Sequence, residues 1–307
     1  MNLREWALPV YTIMIQLAVG ALLFLWFLKL YSRSRVEEAE LEDLCRIPLM
    51  IIYFTIGTAI FGAHFHLSKP LISVLAVSNF HSSWLSREII FTVLFFLATG
   101  SIVALTWLVP GYTRAKNILG WLAITAGIAT VFCMSQIYLL PTQKLWNSEN
   151  TLFYYLGSTL LLGMTSLPAM LLLDLNYSEV QGNHQTKKYV EIVRKAVVWF
   201  STASALVSVL VISQGIHQII TLKMINHQSA QASLELLTGL YQPLVVMRFG
   251  LLIVGVSWLL MSVHRIMKKD PEVKDLIGSI YVGFLLVLIG EILGRFLFYA
   301  AHVRIGV

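Results

Sequence analysis

Eight stretches of this chain are each apolar over about 20 residues, the length a helix needs to cross a hydrocarbon core of roughly 30 Å. No other property of the sequence restricts the fold as severely. The windows cover residues 8–31, 47–65, 89–109, 118–140, 151–173, 196–222, 245–263 and 276–301. Inside lipid a backbone has no water to bond with, so each window must satisfy its own peptide groups as a helix. Only 12% of the 307 residues are charged, against about 25% in a soluble domain. The expected fold class is all-α, an integral membrane bundle of eight transmembrane helices with residues 1–307 as a single domain. The first window is too long for a signal-peptide core and lacks a small-residue cleavage site, so it is read as retained.

The polar connections alternate in charge. Those after the first, third, fifth and seventh windows hold thirteen Lys and Arg residues, and the opposite side holds six. Basic loops stay in the cytoplasm, so both termini are expected on the outer, periplasmic side. The same asymmetry accounts for the net charge of +6 and leaves no case for nucleic-acid binding. The stretch SRSRVEEAELEDLCR (32–46) is expected to be a solvated inner loop with at most a helical turn. Cys45 and Cys133 stand far apart with no C-x-x-C, so neither an iron–sulfur cluster nor covalent haem has its ligands in this chain.

Against this apolar background a few polar residues stand out. The last window closes with GEILGRFLFYAAH (290–302), where Glu291 and Arg295 share one helical face that continues to Phe298 and His302. Measured at 1.5 Å per residue, both charges fall in the outer part of the span. Other windows bring polar groups to the same depth: His66 at the end of the second, Glu88 at the start of the third, Gln214 and His217 in the sixth, Arg248 in the seventh. The inner half is expected to hold almost none. A charge at a helix centre in lipid costs about 2.5 kcal/mol or more, so these residues should face protein or a wet cavity. Each also has a purely structural reading. Glu291 and Arg295 could pair for packing, Glu88 could answer a helix dipole, His66 could anchor a turn, Arg248 could snorkel, and Gln214 and His217 could tie helices together. The Phe, Trp and Tyr residues read as ordinary interfacial composition.

An apolar-walled layer holding a carboxylate, a histidine and an arginine suits a quinol. Its tail arrives from lipid, and oxidation releases two protons with two electrons, so a base must lie within reach of a hydroxyl. His66 and Glu88 are the candidate bases. The same inventory serves a proton-coupled secondary transporter, which would show broken helices near the midplane and repeat symmetry. A b-type haem on His66 and His217 is a third reading.

Five segments, HLSKP (66–70), SREI (86–89), GEILGRFLFYAAH (290–302), EWALPVYTIMIQLAVGA (5–21) and the Gln214-Gly215 pair, resemble the membrane anchor subunit of bacterial dimethyl sulfoxide reductase. That resemblance runs from the first span to the last and implies a multi-pass inner-membrane protein that oxidises menaquinol. Electrons would pass to an iron–sulfur subunit and on to a molybdopterin catalytic subunit, with no haem or metal in the anchor itself. The family's loop histidine and following glutamate match His66 and Glu88, while Arg248, Glu291, Arg295, Gln214 and His217 would bind the quinol or balance charge. Ser68 stands where the family usually has Gly. Anchors of related S-oxide, N-oxide or polysulfide-type reductases are the neighbouring alternatives.

Overall fold

The computed structural model describes residues 3–64, 76–109, 111–181, 186–269 and 273–303. Among these the chain is helical: α1 (Leu3–Ser32), α2 (Glu38–His64), α3 (Trp84–Leu108), α4 (Thr113–Ile137), α5 (Glu149–Val180), α6 (Lys187–Met224), α7 (Gln228–Thr238), α8 (Gln242–Lys269) and α9 (Val273–Ala300). All except α7 are long and apolar enough to cross a membrane. The eight expected spans are therefore all present, and they run as continuous helices without the unwound segments a transporter would need.

The helices extend past the apolar windows into the charged flanks. The run expected as a loop at 32–46 is helical from Glu38 onward, because its Glu, Leu and Ala residues are good helix formers that need no lipid. The short α7 lies in the connection between α6 and α8 and packs on both. His227 caps it by accepting from the backbone N–H of Ser229 at 3.2 Å.

Two helices form the axis of the bundle. In α1 and α5, 78% and 72% of the most apolar window is buried, against 56% or less in the other spans. They cross backbone to backbone: a Cβ added to Gly20 would lie 2.1 Å from the Thr159 carbonyl oxygen, and one on Gly163 would lie 2.3 Å from the Gly20 carbonyl carbon. Such small residues let transmembrane helices approach closely. Around this axis α2, α3 and α4 pack on one side and α6, α8 and α9 on the other, with α9 also touching α1 and α5. One end of the bundle, called the terminal face below, carries the start of α1 and the finish of α9; the other is the far face.

The far half is not as empty of polar groups as the sequence suggested. Lys29, Lys116 and Asp174 are all buried there. Lys116 Nζ lies 2.5 Å from Glu42 Oε1, the Tyr189 hydroxyl donates to Asp174, and the Lys29 ammonium sits 4.5 Å from the centre of the Trp26 ring. The sequence placed Lys116 in a loop and Asp174 just past a window. The extension of α4 and α5 draws both inside the bundle, where partners on α2 and α6 meet them.

Candidate functional site

The densest group of unusual side chains lies toward the terminal face, where α1, α5, α8 and α9 meet. Glu291 and Arg295 of α9 are both 0% exposed, and Arg248 of α8 is 7% exposed. Arg248 therefore turns inward and does not snorkel to a headgroup. Glu291 accepts a hydrogen bond from the Ser158 hydroxyl of α5, and its other oxygen is 4.0 Å from an Arg248 terminal nitrogen. Arg295, one turn along the same face, does not take Glu291 as its partner. It donates to Gln16 Oε1 of α1 at 2.5 Å, while Gln16 in turn donates to the Tyr155 carbonyl at 2.6 Å. The i,i+4 spacing permits a pair within α9, but acceptors offered by neighbouring helices decide the actual partners.

Aromatic rings complete the enclosure. The Arg295 guanidinium lies 3.9 Å from the Tyr155 ring centre and 4.8 Å from that of Tyr154, and Arg248 lies 5.0 Å from Tyr154. Gly294 makes this possible, since a Cβ there would fall 2.4 Å from Arg248 Nε and 2.7 Å from the Tyr154 hydroxyl. Several polar atoms of this group have no hydrogen-bond partner: Nε and one terminal nitrogen of each arginine, Glu291 Oε1 and the Tyr154 hydroxyl. A buried polar atom left unpaired costs about 1–3 kcal/mol. The group as a whole thus has vacant donors, an acceptor and one excess positive charge, which matches a small oxygen-bearing guest. A crevice of about 40 Å³ reaches Arg248, Tyr154 and Gly294 from between α6 and α8, past Gly215 and Phe249. That is room enough for water but far below the roughly 300 Å³ of ordinary ligand pockets.

Glu88 occupies a separate position on α3. Ser83 caps this helix, accepting from the Ser86 N–H, and Arg87 faces outward to donate to the carbonyls of Phe80 at 2.9 Å and His81 at 2.6 Å. Glu88 then points inward, is buried, and lies beside the Tyr11 hydroxyl of α1, which is 3.1 Å from Thr92 Oγ1. Between Glu88 and Arg295 stand three more phenols, with Tyr299 bonded to Tyr138 at 2.8 Å and to Tyr155 at 3.4 Å. His66 lies outside the described residues.

Gln214 and His217 sit at the edge of this arrangement. Gln214 donates to the Asn150 carbonyl, and the exposed His217 ring places Nδ1 3.2 Å from the Asn150 amide. Both tie α6 to the start of α5, the helix-linking reading. Sequence reasoning passed over Gln16, Ser158, Tyr154 and the three bonded tyrosines. Gln16 carried a signal, an amide in the middle of an apolar window; the tyrosines carried none that separates them from interfacial composition. Among the described residues no three His, Cys, Asp or Glu side chains gather as metal ligands.

Three relatives of similar sequence are all chains of anaerobic dimethyl sulfoxide reductases. The chain is 28% identical to the YnfH chain of anaerobic dimethyl sulfoxide reductase from Escherichia coli (strain K12), over 99% of this chain and 96% of that one. It is 27% identical to a chain of the anaerobic dimethyl sulfoxide reductase of Haemophilus influenzae (strain ATCC 51907 / DSM 11121 / KW20 / Rd), over 99% and 97% respectively. The like-named chain of the Escherichia coli (strain K12) anaerobic dimethyl sulfoxide reductase is 26% identical over 99% and 96%. The family described as DMSO reductase anchor subunit (DmsC) matches residues 1–301. With eight apolar helices and this match over nearly its whole length, the chain belongs to the DMSO reductase anchor subunit family and is a multi-pass protein of the bacterial inner membrane that serves as the membrane anchor of a DMSO reductase-type complex.

Proposed function

We propose that this anchor oxidises menaquinol toward its terminal face and passes the electrons, one at a time, to an iron–sulfur subunit that feeds a molybdopterin catalytic subunit. The observation that carries the reading is the set of buried, unpartnered polar atoms on Arg248, Glu291, Arg295 and Tyr154. A quinol headgroup offers oxygens that can both accept and donate, in a ring flat enough to lie among the surrounding aromatic side chains. In this reading Arg248, Arg295 and the Tyr154 hydroxyl donate to ring oxygens, and Glu291 fixes Arg248 and limits the net charge. Oxidation breaks two O–H bonds and sends two protons to bases; His66 and Glu88 take that role, as the family resemblance implies. The proton bound for Glu88 would be relayed by the Tyr155, Tyr299, Tyr138 and Tyr11 hydroxyls that stand between it and Arg295, each releasing one proton as it takes up another. The present crevice is too small for the ring, so entry requires α6 and α8 to part at Gly215 and Phe249. By the distribution of basic residues the terminal face is periplasmic, and the protons would be released there.

The test uses the assembled complex. With a reduced menaquinol analogue as donor, His66→Ala and Glu88→Gln should each lose roughly 10²-fold or more in turnover, the scale of a general base. Turnover with an artificial donor that reduces the catalytic subunits directly should persist. Unchanged quinol turnover in both variants would remove these residues from the reaction.

A further inference from the structure

We propose that the redox partner docks on the terminal face over Trp146, His302 and the 139–149 connection between α4 and α5, at the end of a ladder of four stacked rings that leads out from the arginine cluster. The inference rests on the quinol reading above and specifies where its electrons leave. Tyr154, whose hydroxyl belongs to that cluster, stacks on Phe298 with centroids 5.8 Å apart and planes at 19°. Phe298 stacks on Trp146 at 5.4 Å and 22°, and Trp146 on His302 at 4.7 Å and 21°. The rings are nearly parallel throughout. They are also pinned: Trp146 Nε1 donates to the Phe298 carbonyl at 2.8 Å, the Thr151 hydroxyl donates to the Trp146 carbonyl at 2.6 Å, and His302 Nδ1 lies 2.5 Å from the Tyr299 carbonyl.

Exposure grades along the ladder. Tyr154, Phe298 and Trp146 are buried, while His302 is half-buried at the terminal face. Beside this exit a surface depression of about 480 Å³ is lined by Gln136, Leu139, Asn147, Glu149 and Phe153 among others, and Phe153 is 59% exposed. A mixed rim around apolar side chains is the composition of a protein-binding patch.

Electron transfer through protein weakens steeply with distance, so a donor sealed within the bundle needs its acceptor brought to the nearest packed surface. The quinol loses two electrons and two protons. Each electron reduces one one-electron acceptor of the iron–sulfur class in the docked subunit, and the protons go to the bases named above. The four rings are neither oxidised nor reduced; they are positioning residues that hold donor and acceptor at a fixed separation with no gap between them.

A photo-crosslinking amino acid placed at Thr142 or Glu149 of the intact complex tests the docking surface, with Tyr112 on the far face as control. The expected result is a cross-link from the first two positions, and not from Tyr112, to the subunit that carries the clusters. In the same complex, stopped-flow reduction of those clusters by a menaquinol analogue should slow by roughly tenfold or more in Trp146→Leu, the order of a positioning defect. Trp146→Phe should restore most of the rate, with the KM for the analogue and artificial-donor turnover unchanged in both. Cross-links from Tyr112 alone, or cluster reduction at the unsubstituted rate in Trp146→Leu, would overturn the proposal. Should the unsubstituted complex fail to oxidise the analogue, the quinol reading fails instead, and the cross-links still decide where the partner sits.

Discussion

The two ends of the bundle bury charge in different ways. At the far face Lys116 meets Glu42 and Asp174 meets Tyr189, each in a direct contact between helices, and Lys29 rests on an indole ring. Toward the terminal face Arg248 and Glu291 stand 4.0 Å apart, and donors on both arginines find nothing to bond. The Glu42 side chain is 18% exposed where Glu291 is fully buried, but the larger difference is in hydrogen-bond satisfaction. Removing a buried charge from water is repaid only when its hydrogen bonds are remade. The Lys116–Glu42 and Tyr189–Asp174 pairs remake them within the chain and read as a clasp, although Ser32 Oγ, Glu40 Oε1 and Arg46 Nε on the same face stay unpaired. The terminal cluster leaves them open, as expected of a site built for a guest. The close crossing at Gly20 and Gly163 stands between the two, with no room there for a side chain.

The sharpest way to break this contrast is to neutralise one charge on each side. Glu291→Gln keeps the shape and the Ser158 contact but leaves two arginines facing each other's field. Quinol turnover is expected to fall about 100-fold, comparable to losing one preorganised electrostatic group, while artificial-donor turnover of the same complex stays constant. Lys116→Met should do the reverse. Breaking that pair should cost about 3 kcal/mol, the low end for a buried pair because Glu42 keeps some access to water. A lower thermal-inactivation midpoint in detergent would register it, with quinol turnover per intact complex unaltered. Tyr189→Phe, which removes a single bond to Asp174, should cost about 1.5 kcal/mol and shift the same midpoint in the same direction by less. If either far-face variant abolished quinol oxidation while the complex stayed assembled, the division between clasp and site would be wrong.

Much of this was legible in the residues. Eight spans follow from apolar length alone, because lipid leaves the backbone no alternative to a helix. Arg248, Glu291 and Arg295 were legible as anomalies, since a charge in an apolar window demands a reason. Helix ends were not, because α2 and α6 run on through charged turns whose helical propensity owes nothing to hydrophobicity. The short α7 was missed for the same reason. Partner choice was also out of reach: the spacing of Glu291 and Arg295 invites a pair, and only the packing of α1 and α5 against α9 gives Arg295 to Gln16 and Glu291 to Ser158. Tyr154 and Trp146 read as interface residues until α9 set Phe298 between them.

The central claim is that the unpaired terminal cluster exists to hold a quinol headgroup. Its most direct test is the affinity of a fluorescent menaquinol-like inhibitor for the detergent-solubilised complex, measured by quenching in Arg248→Gln and Lys116→Gln side by side. Arg248→Gln should bind it at least roughly tenfold more weakly, the loss of a hydrogen bond from a charged donor, and Lys116→Gln should bind it as the unsubstituted complex does. Equal affinity in all three would contradict the account.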